Sequence, residues 1–167
     1  ARVHKGSAGA LAVVGDSGVG KTTLSGAFLD SLRTQGRARV LSGRCFVHEA
    51  LAYNAFDEIM EGLSHWLRQL SDAARAAILP VDFVALARLF PALRGAGLPE
   101  VVSDASPAPA GLGERARAFR ALHQLLERMS VEQALLLHVD DLQWADADSQ
   151  VLLRELFDEP VPRLCIL

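Results

Sequence analysis

Eight residues near the start of the chain, Gly15-Asp16-Ser17-Gly18-Val19-Gly20-Lys21-Thr22, constrain it more than any other stretch. They fit G-x-x-x-x-G-K-[ST] at every specified position. Glycine lets the backbone curl until successive N–H groups point inward at one anion, in conformations that a Cβ obstructs. A helix that starts where the loop ends turns its positive dipole end toward the same anion. Lys21 can bring a cation to the β- and γ-phosphates, and the Thr22 hydroxyl is a hard oxygen ligand for Mg²⁺. The competing reading is a chance glycine-rich turn, which average residue usage makes a roughly one-in-a-hundred event in a chain of this length. The predicted phosphate-binding residues are therefore Gly15, Asp16, Ser17, Gly18, Val19, Gly20, Lys21, Thr22 and Thr23.

The flanks of the loop agree with this. Residues 8–14, AGALAVV, read as a buried strand. From Thr22 to Leu32 the spacing predicts a helix with Leu24, Phe28 and Leu32 on one apolar stripe, stopped by Gly36. Residues 38–42 read as a second strand. Strand, glycine-rich turn, helix and strand form a βαβ unit, which calls for a parallel sheet.

A long connection follows, about 44–133. Within it, Phe56, Ile59, Met60, Leu63, Trp66, Leu67 and Leu70 recur at helical spacing. A shorter helix is predicted over Val84–Phe90, and a third over about 113–129 with Phe119, Leu122, Leu126 and Met129 on its buried face. Four prolines and four glycines make 91–113 a loop. Ser149–Phe157 reads as a further helix, and Arg163–Leu167 as the start of a strand.

Residues 134–139, ALLLHV, are continuously apolar and run straight into Asp140-Asp141, the pattern of a strand buried on both faces. Such a strand delivers a carboxylate to the crevice where parallel sheets bind ligands. Asp140 is the predicted Mg²⁺ partner of Thr22. Asp141, pointing another way, could polarise an attacking water as general base. Alone, the pair could equally be an acidic turn. His138 is better read as a hydrogen-bonded core histidine, Cys45 and Cys165 as small buried hydrophobes, and Trp66 as helix core. Trp144 lies in a loop beside the site.

Composition narrows the classes. The 167 residues suit one domain with a substantial core and are too few for two. Seventeen Lys and Arg against 20 Asp and Glu leave no general basic field, so no direct nucleic-acid contact is expected. Two cysteines cannot make a disulfide framework and favour a reducing, cytoplasmic setting. No apolar run approaches the roughly 18 residues of a membrane span. Arg2, His4, Lys5 and the apolar run after them mimic a signal peptide, but a phosphate loop follows instead of a cleavage site. With no initiator Met and an end inside an apolar run, the chain reads as a piece of a longer protein.

Taken together, the Walker A loop at 15–22 and a Walker B segment, LLLHVDD at 135–141 continued by Leu142-Gln143-Trp144-Ala145-Asp146-Ala147-Asp148-Ser149, resemble the STAND branch of AAA-related P-loop ATPases. More narrowly the chain resembles the Orc1-like AAA ATPase module of large bacterial regulators. Gly43-Arg44-Cys45, Tyr53-Asn54-Ala55-Phe56 and Leu86-Ala87-Arg88-Leu89-Phe90-Pro91 are similar to its kinase-linked subgroup. The resemblance implies an α/β fold, a three-layer P-loop NTPase with a mainly parallel sheet of order 5-1-4-3-2. The sheet would be truncated within strand four, at 163–167, between the strands at 10–14 and 134–139. A helical insertion would separate strands two and three. ATP and Mg²⁺ are the implied cofactors, and Lys21 and Asp141 the implied catalytic residues. The implied partners are attached serine/threonine kinase, cyclase or LuxR-type DNA-binding domains of the same polypeptide, and a second copy of the chain. Strand five, the sensor, the lid and any arginine finger would lie beyond Leu167. Asp141 departs from the glutamate of many AAA ATPases and implies slow, switch-like turnover. The glycine-arginine-glutamate element that usually precedes the first strand is absent.

Two functions compete. One is an ATPase switch that relays a conformational change to output domains; the other is a nucleotide-binding docking or oligomerisation module with negligible hydrolysis. A GTPase would need Asn-Lys-x-Asp, whereas the one asparagine, Asn54, is followed by Ala. No ABC-transporter signature is present, because Leu24-Ser25-Gly26-Ala27 falls inside the first helix. A small-molecule kinase would place its second acidic group elsewhere.

Overall fold

The computed structural model describes residues 8–47, 52–96 and 111–167. Four parallel strands form one sheet: β1 (Gly9–Ala10), β2 (Arg39–Arg44), β3 (Leu135–Asp140) and β4 (Leu164–Ile166), in the order β1-β4-β3-β2. The α/β class and the position of β4 between β1 and β3 agree with expectation. Leu135, Leu136, Leu137, His138 and Val139 are all buried, as a strand covered on both faces requires.

Helix α1 (Lys21–Thr34) follows the glycine-rich loop. It ends at Gly36 with paired bonds from Gly36 N–H to the Arg33 carbonyl and from Arg37 N–H to the Leu32 carbonyl, which satisfy two end carbonyls. Its apolar stripe corrects the sequence reading. Leu24 and Phe28 are 64% and 46% exposed, whereas Ser25 and Leu29 are buried. The reason is phase: Thr22, Ser25 and Leu29 share the face turned to the sheet, so Leu24 and Phe28 rotate away from it.

Between β2 and β3 lie α2 (Asp57–Gln69), α3 (Asp72–Ile78), α4 (Phe83–Leu89) and α5 (Leu112–Glu132). α2 buries Ile59, Met60, Leu63 and Leu67, as their spacing predicts. They join Phe56, Phe83, Leu86, Leu122, Leu126 and Met129 in a cluster that also takes Leu135, Leu137 and Val139 from one face of β3. Burying a side chain of this size stabilises by about 1.5–3 kcal/mol, so the main core lies between the insertion and the sheet. Trp66 packs on its margin, with the Arg39 guanidinium 4.2 Å from the ring centre. A last helix, α6 (Ala147–Asp158), adds Leu152, Leu153 and Leu156.

Three further expectations are corrected. Residues 8–14 are not a buried strand: β1 spans two residues, and Leu11, Val13 and Val14 are exposed. Among the described residues β1 bonds to β4 alone, and that pairing stops at the bond from Leu11 N–H to the Ile166 carbonyl. Helix α3 was not anticipated, because Asp72-Ala73-Ala74-Arg75 carries no apolar period. Pro91–Ala96, read as loop, forms a 3-10 helix with Leu93 and Ala96 fully buried. The remainder of that predicted loop, 97–110, and the charged start at 1–7 lie outside the described residues. Cys45 is buried and Cys165 half-buried. No helix among the described residues is long and apolar enough to cross a membrane.

Candidate nucleotide site

The loop before α1 takes its shape from Gly18 and Gly20, whose φ values of 83° and 92° lie where L side chains are strained. Gly20 is the N-cap of α1, and its carbonyl accepts the first helical bond from Leu24 N–H at 2.9 Å. Lys21 arches back over the loop, donating from Nζ to the carbonyls of Gly15 and Asp16 at 2.9 and 2.8 Å. Ser17, Val19 and Thr23 are exposed on its outer surface.

Thr22 opens α1, and Asp140 closes β3. The Thr22 hydroxyl donates to Asp140 Oδ2 at 3.0 Å, with Oδ1 at 3.4 Å, across 118 residues of sequence. Alternation along β3 explains the meeting: Leu135, Leu137 and Val139 face the insertion, so His138 and Asp140 face α1. A hydroxyl and a carboxylate converging at the end of a parallel strand are hard oxygens of the kind Mg²⁺ takes beside water and phosphate. The donor set fits that ion. His138 is held by Ser42, with Oγ to Nδ1 2.8 Å, and burial pushes its pKa down. It is a satisfied core histidine.

Asp141 leaves the strand in the left-handed region, φ 55°, which turns its carboxylate away from that of Asp140. Arg44, at the end of β2 and in register with Asp140, donates from Nε and Nη2 to Asp141 Oδ2 at 2.9 and 2.7 Å. Gln143 Nε2 donates to Oδ1 at 3.0 Å. The Arg44 bonds and then the Gln143 bond hold the Asp141 carboxyl below its ordinary pKa, and the same contact raises that of Arg44. Neither Arg44 nor Gln143 stood out in the sequence as a site residue. A signal existed for Arg44: a basic residue ending the strand that pairs with β3 must sit beside the Asp140-Asp141 corner.

The stretch after Asp141 carries a second polar cluster that sequence reasoning also missed. A 3-10 turn (Leu142–Trp144) leads to Asp146, the N-cap of α6, which accepts from Ser149 N–H at 2.9 Å and from the Ser149 hydroxyl. The same carboxylate accepts from the backbone N–H groups of Tyr53 and Asn54 at 3.0 and 2.8 Å. Burial pushes the Asp146 carboxyl up, but these bonds outweigh it and leave the group below its ordinary pKa. Trp144 is half-exposed on this rim. Lys21, Thr22, Asp140 and Asp141 thus gather at one end of the sheet.

One comparison with known proteins is informative. A family model described as an AAA ATPase domain matches residues 1–167. No curated protein and no solved structure matches the chain.

Proposed function

Because the chain belongs to the AAA ATPase domain family, we propose that it is a STAND-type nucleotide switch that binds MgATP and hydrolyses it slowly within a multidomain bacterial signalling or transcriptional regulator. The observation that carries this reading is the 3.0 Å approach of the Thr22 hydroxyl to Asp140 beneath the glycine-rich loop. The amides of Gly15–Thr22 bind the phosphates, with Thr23 behind them in the first turn of α1. Lys21, released from the Gly15 and Asp16 carbonyls, adds its charge to the β- and γ-phosphates. Thr22 and Asp140 hold the metal. When bound, Mg²⁺ neutralises charge on the phosphate oxygens and orients them.

Asp141 orients the attacking water and takes up its proton on a carboxylate whose Oδ2 carries both Arg44 bonds and whose Oδ1 carries the Gln143 bond. A carboxylate engaged in this way is a weak base, which supports slow hydrolysis and keeps a second reading alive, that of a docking module that binds ATP and hardly cleaves it. The attached output is a serine/threonine kinase, a cyclase or a DNA-binding domain of the same cytoplasmic polypeptide.

Phosphate release by the full-length protein with Asp141→Asn separates the two. A fall of about 100-fold or more in kcat at unaltered ATP affinity is the expected outcome, in the range of a general-base contribution of about 10²–10⁴. Unchanged release would remove Asp141 from the chemistry.

A further inference from the structure

The DDLQWAD stretch contains a third acidic residue to which the proposed chemistry assigns no role. Asp146 receives four hydrogen bonds, two from Ser149 at the start of α6 and two from the backbone of Tyr53 and Asn54, more than 90 residues earlier. Asn54 returns the contact: its Nδ2 donates to the Trp144 carbonyl at 3.3 Å, and its Oδ1 accepts from Asp146 N–H at 3.4 Å. Two loops therefore cap each other's backbone reciprocally. The Ser149 hydroxyl extends the joint by accepting from Ala55 N–H at 3.2 Å.

What lies on each side of this joint matters. On one side, a single 3-10 turn separates it from Asp141, closed by bonds from Trp144 N–H to the Asp141 carbonyl at 2.9 Å and from Ala145 N–H to the Leu142 carbonyl at 3.0 Å. So short a turn leaves Asp141 little freedom once Trp144 and Asp146 are held. On the other side, Tyr53 sits at φ 66°, a strained position for an aromatic residue that needs support from its surroundings. The Tyr53 ring is buried edge-on against Phe90 and Phe119, with centroids at 5.3 and 6.0 Å, and its hydroxyl has no partner among the described residues. Asn54 leads through Phe56 into α2. A Cβ on Gly43 of β2 would lie 3.0 Å from the Ala55 carbonyl, so this segment also lies hard against the sheet.

We propose that Asp146 and Asn54 are positioning residues for ATP hydrolysis: they tie the Asp141 turn to the entrance of the helical insertion, so that the insertion's seating sets the aim of the Asp141 carboxylate. The inference rests on the ATPase reading of the same site. The side-chain hydrogen bonds of both residues run to each other's loops and to Ser149, none to the glycine-rich loop, Thr22 or Asp140. Loosening the joint therefore lowers kcat and leaves nucleotide affinity alone.

The test compares the wild-type full-length protein with Asp146→Asn, Asn54→Ala and Arg115→Ala. The last variant breaks an ion pair between α5 and Asp148 in α6, close to the joint but outside it. Expected for Asp146→Asn is a kcat at least 10-fold lower with MgATP affinity by calorimetry within 2-fold. Amide hydrogen exchange at Tyr53 and Asn54, read without nucleotide, should quicken at least 10-fold. Asn54→Ala should lower kcat about 3-fold at unchanged affinity, and it carries the test if Asp146→Asn fails to fold. Arg115→Ala should keep wild-type kcat even where its melting temperature falls. Wild-type kcat in both joint variants overturns the proposal, and so does a loss in Arg115→Ala as large as theirs, which would reduce the joint to general stability. A wild type that binds ATP without turning it over overturns the hydrolysis reading and this inference together.

Discussion

The insertion side and the α1 side of the sheet are built on opposite terms. On the insertion side, Phe56, Leu63, Leu67, Leu86 and Leu125 are fully buried and form the core. On the α1 side, Leu24 and Phe28 of the helix and Leu11, Val13 and Val14 beside β1 face outward, and the buried contacts come from Ser25, Leu29 and the inward face of β3. Both sides are apolar in sequence, yet only one is packed. The elements proposed to bind nucleotide lie on the loosely packed side, where regions that must rearrange around a ligand are usually found. The core and the proposed nucleotide site thus lie on different sides of the sheet.

Two phenylalanines give the largest contrast. Phe56→Ala should cost about 3–5 kcal/mol in urea unfolding, as truncating a fully buried aromatic does. Phe28→Ser should cost under about 1 kcal/mol and reduce self-association at high concentration, because it removes an exposed apolar surface. Similar costs at the two positions would break the contrast.

Lys21→Ala comes next. It should weaken ATP binding at least about 100-fold, or about 3 kcal/mol, by removing the cation directed at the phosphates. The urea midpoint should hardly move, since among the described residues Lys21 bonds only to the carbonyls of its own loop. Unaltered affinity by isothermal titration would contradict the phosphate assignment of the loop.

The smallest expected effect is a shift in pH dependence. Arg44 holds the Asp141 carboxyl below its ordinary pKa, so Arg44→Ala should let that pKa rise. Asp141 must be ionised to accept a proton, so the acid limb of the kcat profile should move to higher pH. An unmoved acid limb would show that Asp141 does not govern it.

Local signals made much of this legible. The glycine-rich loop needs positive φ at Gly18 and Gly20, so its conformation is written in its own residues. The run from Leu135 to Val139 announced a strand covered on both faces, and the spacing from Phe56 to Leu67 announced α2. Legibility failed where the answer depended on a neighbour. The periodicity of Leu24, Phe28 and Leu32 correctly marked a helix, but Leu24 and Phe28 face outward and Leu32 alone of the three is half-buried, because the meeting of Thr22 with Asp140 fixes the helix's rotation. Among the described residues β1 pairs with β4, and residues 12–14 run past the end of that pairing. Arg44 and Asn54 acquire their partners only when chain 90 or more residues away folds beside them.

The residue order alone therefore determined the loop, the helical and strand periods and the acidic end of β3, because each follows from backbone sterics or side-chain spacing over a few residues. Tertiary structure alone decided which face of α1 is inward, that Arg44 restrains Asp141, and that Asp146 binds the insertion to the loop after β3. Those are contacts between distant segments. They exist only once the parallel sheet has set strands β2 and β3 in register and brought both loop ends to the same edge.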